Sequence, residues 1–142
     1  MADPSEVDAA VVAKLVADTG SGGLMTLMTD GVFIDVAPNG KTKFVIVSLA
    51  AHDDEYMFNG CAFEQSLYLV KAVDREESGL TVKAAAIRIQ TLLHDVALSI
   101  QGYTHMLTRR TARLRFTEVD DIDPNIRWQH RGARYEVLVS PN

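Results

Sequence analysis

Apolar positions along this chain follow a helical spacing in two stretches and a strand spacing elsewhere, and the switches between them outline its elements. Val7, Val11, Val12, Leu15 and Val16 recur at helical intervals and share one face of a helix predicted over residues 5–18. Ser5 followed by Asp8 has the form of a capping box, so that helix should begin at Ser5. It should stop at Gly20-Ser21-Gly22-Gly23, because three glycines in four residues break a helix.

From Val32 the period becomes two. A short strand is predicted at Val32–Ala37, a turn at Pro38-Asn39-Gly40 and a second strand from Lys43 to about Ala51, together a hairpin signal. The second strand is apolar on both faces, with Val45, Val47 and Leu49 on one and Phe44 and Ile46 on the other. It should therefore lie centrally and be covered on both sides, the second cover being a helix or a neighbouring subunit. A polar loop, His52–Gly60, leads to a third strand at Cys61–Val73, whose odd-numbered face (Cys61, Phe63, Leu67, Leu69) is more apolar than its even one (Glu64, Ser66).

After the polar connection Asp74–Gly79, the residues Val82, Ala85, Ala86, Ile89, Leu93, Val96 and Ile100 trace a second helical stripe, predicting a helix near 78–98 packed across the sheet. Two strands follow, Tyr103–Glu118 and Ala133–Ser140, joined by a long loop, Val119–Gly132. In the last of them Ala133, Tyr135, Val137 and Val139 face one way and Arg134, Glu136 and Leu138 the other. The order α-β-β-β-α-β-β predicts an α+β fold: one domain over residues 1–142, with a mostly antiparallel sheet of about five strands and two helices packed on it.

Composition agrees with that reading. A chain of 142 residues with 47% hydrophobic side chains can cover a continuous core unaided. Cys61 is its only cysteine, which excludes an intramolecular disulfide and points to a reducing compartment. The apolar stretch Ala9–Ala17 contains Lys14 and follows Asp3, Glu6 and Asp8, where a signal peptide needs positive charge. No run approaches the roughly 18 apolar residues that span a bilayer, so no membrane association is expected. The net charge of -5 divides unevenly: residues 1–100 hold seven basic and fourteen acidic side chains, and residues 101–142 hold seven and five.

Candidate chemistry is sparse. His94-Asp95 has the doublet of metal-dependent phosphohydrolases without the further ligands, and falls opposite the apolar stripe, as a solvated face would. His52-Asp53-Asp54-Glu55 offers oxygen and imidazole ligands, but four adjacent side chains cannot converge on one ion from a loop. The glycines at 20–23 follow a helix instead of opening one and lack the lysine of a phosphate loop. Cys61 has no adjacent base and reads as a buried structural residue. No catalytic residues, no metal and no cofactor are expected, and the chain is read as a binding protein. The unusual segment is Thr108–Arg115, where strand alternation puts Arg109, Arg113 and Arg115 on one face, with Arg127, Arg131 and Arg134 on the strand or loop beside it. They form either a basic ribbon facing DNA or an acidic protein, or a solvated face balanced by Glu118, Asp120, Asp121 and Asp123.

The order of elements, with Phe63-Glu64-Gln65-Ser66-Leu67-Tyr68-Leu69-Val70-Lys71-Ala72 before Ala84-Ala85-Ala86-Ile87 and the ending Arg127-Trp128-Gln129-His130-Arg131-Gly132-Ala133-Arg134-Tyr135-Glu136-Val137-Leu138-Val139, resembles the tail terminator, or tail completion, family of long-tailed bacteriophages. The resemblance runs from about residue 5 to residue 140 and departs in the length of the Val119–Gly132 loop. It implies a virion protein of the tail–neck region, made in the host cytoplasm. Such a subunit forms a ring, commonly a hexamer, that caps the tail tube, stops its polymerisation and meets the head connector, with DNA passing through the lumen. A head-completion or neck protein is the alternative within the particle, and a small ligand-binding domain or enzyme the alternative outside it.

Overall fold

The fold starts from a helix that buries most of the stripe its spacing predicts: α1 (Ser5–Val16) seats Val7, Val11 and Leu15 in the core with Val12 packed against it, while Val16 stays exposed. In the computed structural model, which describes residues 3–58, 60–75 and 78–142, there follow α2 (Leu24–Leu27), β1 (Val32–Ile34), β2 (Lys43–Met57), β3 (Gly60–Asp74), α3 (Leu80–Leu93), β4 (Tyr103–Val119) and β5 (Arg127–Pro141). Glu76 and Glu77 of the predicted connection, and Asn59 of the predicted loop, lie outside the described residues. The strands form one sheet in the order β1-β2-β3-β5-β4, antiparallel except at one edge. The α+β class and the element order are therefore as read, with a mixed sheet and the extra one-turn helix α2.

One face of the sheet carries the core. Val45 and Val47 of β2, Tyr68, Val70 and Ala72 of β3, and Ala133, Tyr135, Val137 and Val139 of β5 pack against Val82, Ala85, Ile89 and Leu93 of α3 and against α1. Each valine, isoleucine or leucine among them, withdrawn from water, stabilises the fold by roughly 1.5–3 kcal/mol. The helices are tied together by Asp18, which accepts from Leu24 N (2.7 Å) and takes a bidentate grip on Arg88 of α3 (2.6 and 2.8 Å). The Arg88 guanidinium is the first reason its carboxyl titrates below the ordinary range.

Several expectations are corrected. The Val32–Ala51 segment is not a hairpin: β1 and β2 are parallel, Val32 lying beside Val45 and Ile34 beside Val47. Asp35, in the left-handed region (φ 64), ends β1 after three residues. The Asp30 carboxylate then captures the returning chain by accepting from Thr42 N (2.8 Å) and Lys43 N (3.1 Å), so β2 starts again beside the beginning of β1. On β3 the even-numbered face is the core face, where two of its polar side chains find partners: the Tyr68 hydroxyl donates to Asp8, and the Ser66 hydroxyl bonds His52 (2.9 Å). The more apolar odd face looks away from the helices.

The supposed loops at 52–60 and 119–132 are mostly strand. β2 continues to Met57 in register with β3, and β5 starts at Arg127 opposite Val119. The side chains of β2 residues 53–57 are exposed, so that part of the ladder, with no core beneath it, can be polar, whereas the start of β5 pairs with Ala72–Asp74 of β3 inside the sheet. The capping reading of Ser5 also fails, since its hydroxyl makes no cap and its own N–H donates to the Asp3 carboxylate at 3.0 Å. The second helix ends at Leu93 because His94 is extended and Asp95 is left-handed (φ 57). Leu98 and Ile100 enter the core from the following segment instead.

Candidate assembly surfaces

The six arginines singled out in the sequence do not share one face. β4 carries bulges at Met106 and Thr111. In an antiparallel ladder directly paired residues point the same way, and the second bulge breaks the alternation. Arg110 pairs with Tyr135, Arg113 with Ala133 and Arg115 with Arg131, all on the helix side, whereas Arg109 pairs with Glu136 and Ala112 with Arg134 on the opposite side. The expected trio of Arg109, Arg113 and Arg115 is thus replaced by Arg110, Arg113, Arg115 and Arg131. Arg127 stands apart, opposite Val119.

The helix-side arginines line a groove of about 360 Å³ between β4 and α3, floored by Ala86, Ile87 and Tyr135. The Arg110 guanidinium donates to the Gln90 amide oxygen, and its backbone N–H donates to His94 Nδ1 at 3.0 Å. Asp95 N donates to Thr108 O (2.8 Å), so the doublet read as a solvated face ties the end of α3 to the bulged edge strand. Among the described residues no acidic side chain pairs with Arg113, Arg115 or Arg131. Tyr135 lies under Arg110 and Arg113, which pull its hydroxyl pKa down, yet burial prevails and pushes it up to about 12. Arg109, by contrast, is structural: its Nε donates to Glu136 Oε2 at 2.7 Å, and the same buried carboxylate also accepts from Gln65.

Among the described residues no helix covers the second sheet face. Its own aromatic side chains close part of it: Phe44 lies 6.3 Å from both Phe33 and Trp128, and His130 stacks on Phe116 at 4.2 Å. The Trp128 indole donates to Asp120 (3.0 Å), fixing the β4–β5 turn, and Ile46 and Val73 are buried beneath. Val36 stays exposed at its margin, while Leu49 and Ile34, paired with Tyr68 and Val47, are exposed on the helix side. The β2–β3 arm ends in an uncovered apolar tip of Tyr56, Met57 and Phe58. Cys61, beside this tip and paired with Tyr56, has its thiol pushed up by burial first and then by Asp54 and Glu64, the reverse of an activated thiolate.

His130 has no counterpart in the sequence reading. It is buried, both ring nitrogens lack a hydrogen-bond partner, and burial, aided by Lys71, lowers its pKa to about 4. Glu118 lies 3.9 Å away, but the ring is neutral near pH 7 and the two make no ion pair. The folded state binds this proton more weakly than the unfolded chain, whose histidine titrates near 6.5. Stability is therefore full above about pH 6.5 and falls as pH drops toward 4, by about 3 kcal/mol over the whole window. His130→Phe, which keeps the stack on Phe116, should flatten that part of the pH–stability curve in urea titrations; an unchanged acid limb would refute the assignment.

No helix among the described residues is long and apolar enough to cross a membrane. The architecture defines an α+β class: a mixed five-stranded sheet, helices on one face and two long strand pairs running past them. No protein-family model matches the chain, and no curated protein matches it. Among solved structures, a chain in the virion of a native gene transfer agent particle matches with a TM-score of 0.63 and 20% identity, over 93% of this chain and 94% of that one. A second solved chain matches with a TM-score of 0.57 and 11% identity, over 99% and 96%. At these identities the likeness establishes the shared fold.

Proposed function

We propose that this chain is a structural virion protein and, within that class, a tail terminator. Its subunits close into a ring, commonly of six, that caps the tail tube, stops its polymerisation and receives the head connector. The observation that carries the proposal is end-to-end likeness to a chain of a phage-like virion, with almost nothing left over on either side. The surfaces agree with it. The Tyr56-Met57-Phe58 tip, the part-covered second face and the arginine-lined groove are three separate patches, as a subunit with several neighbours needs. Different patches meeting head to tail generate a ring when the rotation closes. Catalysis has no part in this role.

Native mass spectrometry of the full chain, alone and with tail-tube protein, tests it. A closed ring is expected, and a stable two-fold dimer would contradict the reading. Antibody labelling of intact particles separates the neck alternative: label at the tail end supports the terminator, and label confined to the head vertex supports a head-completion protein. A monomer that carries a bound small molecule would favour the ligand-binding alternative.

A further inference from the structure

Where the β2–β3 arm leaves the sheet, pairing of His52 with Ser66 and of Asp54 with Glu64 brings three ligand types to one face. One donor atom each from His52, Asp54 and Glu64 lie within 4.8 Å of one another. His52 Nε2 is 3.1 Å from Asp54 Oδ1, close to the separation of two ligands on one small ion. Its other ring nitrogen bonds the buried Ser66 hydroxyl at 2.9 Å, the outer-shell arrangement that orients metal-binding histidines. Glu64 supplies the independent observation. It is only 8% exposed, and its Oε2 is shut off from solvent, with the buried Tyr103 hydroxyl beside the carboxylate. A buried carboxylate charge with only a hydroxyl beside it is costly, and a cation in the cluster would offset it.

We propose that His52 Nε2, Asp54 and Glu64 bind one divalent transition-metal ion of the zinc type. The donors select the class: imidazole disfavours calcium and magnesium, and two carboxylates with one imidazole suit zinc or manganese. Two carboxylates neutralise the ion, and three protein ligands leave one position for water or for a group from a neighbouring chain. Because the ligands come from both strands, the ion clamps the root of the arm and fixes its direction. This inference does not depend on the assembly proposal, and its test uses no assembly readout.

Tag-free full-length protein, stripped with chelator, is titrated with zinc and with manganese by calorimetry, and its melting temperature is followed. One ion per chain and a rise in melting temperature are expected. His52→Ala and Glu64→Gln should each weaken binding at least tenfold, and Ser66→Ala, which keeps every ligand, should weaken it by about tenfold through loss of orientation. Circular dichroism shows whether each variant is folded, and Glu64→Gln, which removes a buried charge, should melt in chelator no lower than wild type. Absence of stoichiometric zinc or manganese binding to wild type overturns the proposal. So does binding that all three variants retain unchanged, or tighter binding of calcium or magnesium than of zinc.

Discussion

Gly132→Ala should abolish or severely reduce folding, the largest effect expected of any single methyl group in this chain. Gly132 sits in the middle of β5, paired with Lys71 on one side and Leu114 on the other. A Cβ there would lie 2.1 Å from the Val70 carbonyl oxygen and 2.5 Å from Lys71 Cα. Both are backbone atoms of a neighbouring central strand, so relief requires the β3–β5 ladder to separate. Forcing atoms into packed interiors costs about 1–3 kcal/mol where side chains can yield, and here none can, so about 3 kcal/mol or more is expected. Gly79→Ala is the control, because its nearest neighbours would be 3.9 Å away. Urea denaturation should show the Gly79 variant near wild type and the Gly132 variant unfolded or much weakened; coincident midpoints would refute the close approach.

Reversing Arg113, Arg115 and Arg131 to glutamate should leave the fold intact and block the joining of heads to tails. These three line the groove beside α3, and their loss removes no ion pair among the described residues. Exposed charges each contribute under about 1 kcal/mol to stability. Three reversed charges at a desolvated contact with an acidic neighbour cost several kcal/mol in binding, by about the amount like-charge juxtaposition carries. Arg109→Glu should behave in the opposite way. It places a second carboxylate beside the buried Glu136 and should destabilise the fold by about 2 kcal/mol, whatever happens at the interface. Circular dichroism melts of both variants, with joined particles counted by electron microscopy, separate the two. A folded triple variant that joins normally would reduce the groove to an ordinary solvated surface.

The contrast between Arg109 and Arg113 shows where sequence ran out. Alternation along Thr108–Arg115 is a local rule, and it is right within each uninterrupted run of β4. The bulge at Thr111 comes from the pairing with β5, a partner some twenty residues away in sequence, and no local pattern reports it. The same holds for β1. The apolar run and the Pro38-Asn39-Gly40 turn are both real, but the direction of pairing is decided by Asp30 reaching across to the amides of Thr42 and Lys43.

By itself, the sequence determined what depends on near neighbours: most of the stripe of α1, the apolar face of α3, the core face of β5 and the α+β order. The tertiary structure decided what depends on cross-strand partners. It set which face of β3 meets the helices, since Tyr68 and Ser66 can turn inward only where Asp8 and His52 receive them. It turned the polar residues 52–57 into strand, because a projecting arm satisfies its backbone through β3 without burying side chains. It also brought Glu64 beside His52 and Asp54, and buried His130 without a partner. Periodicity records which side of an element is apolar, whereas register, bulges and strand direction follow from hydrogen bonds between distant segments, and only the folded chain brings those segments together.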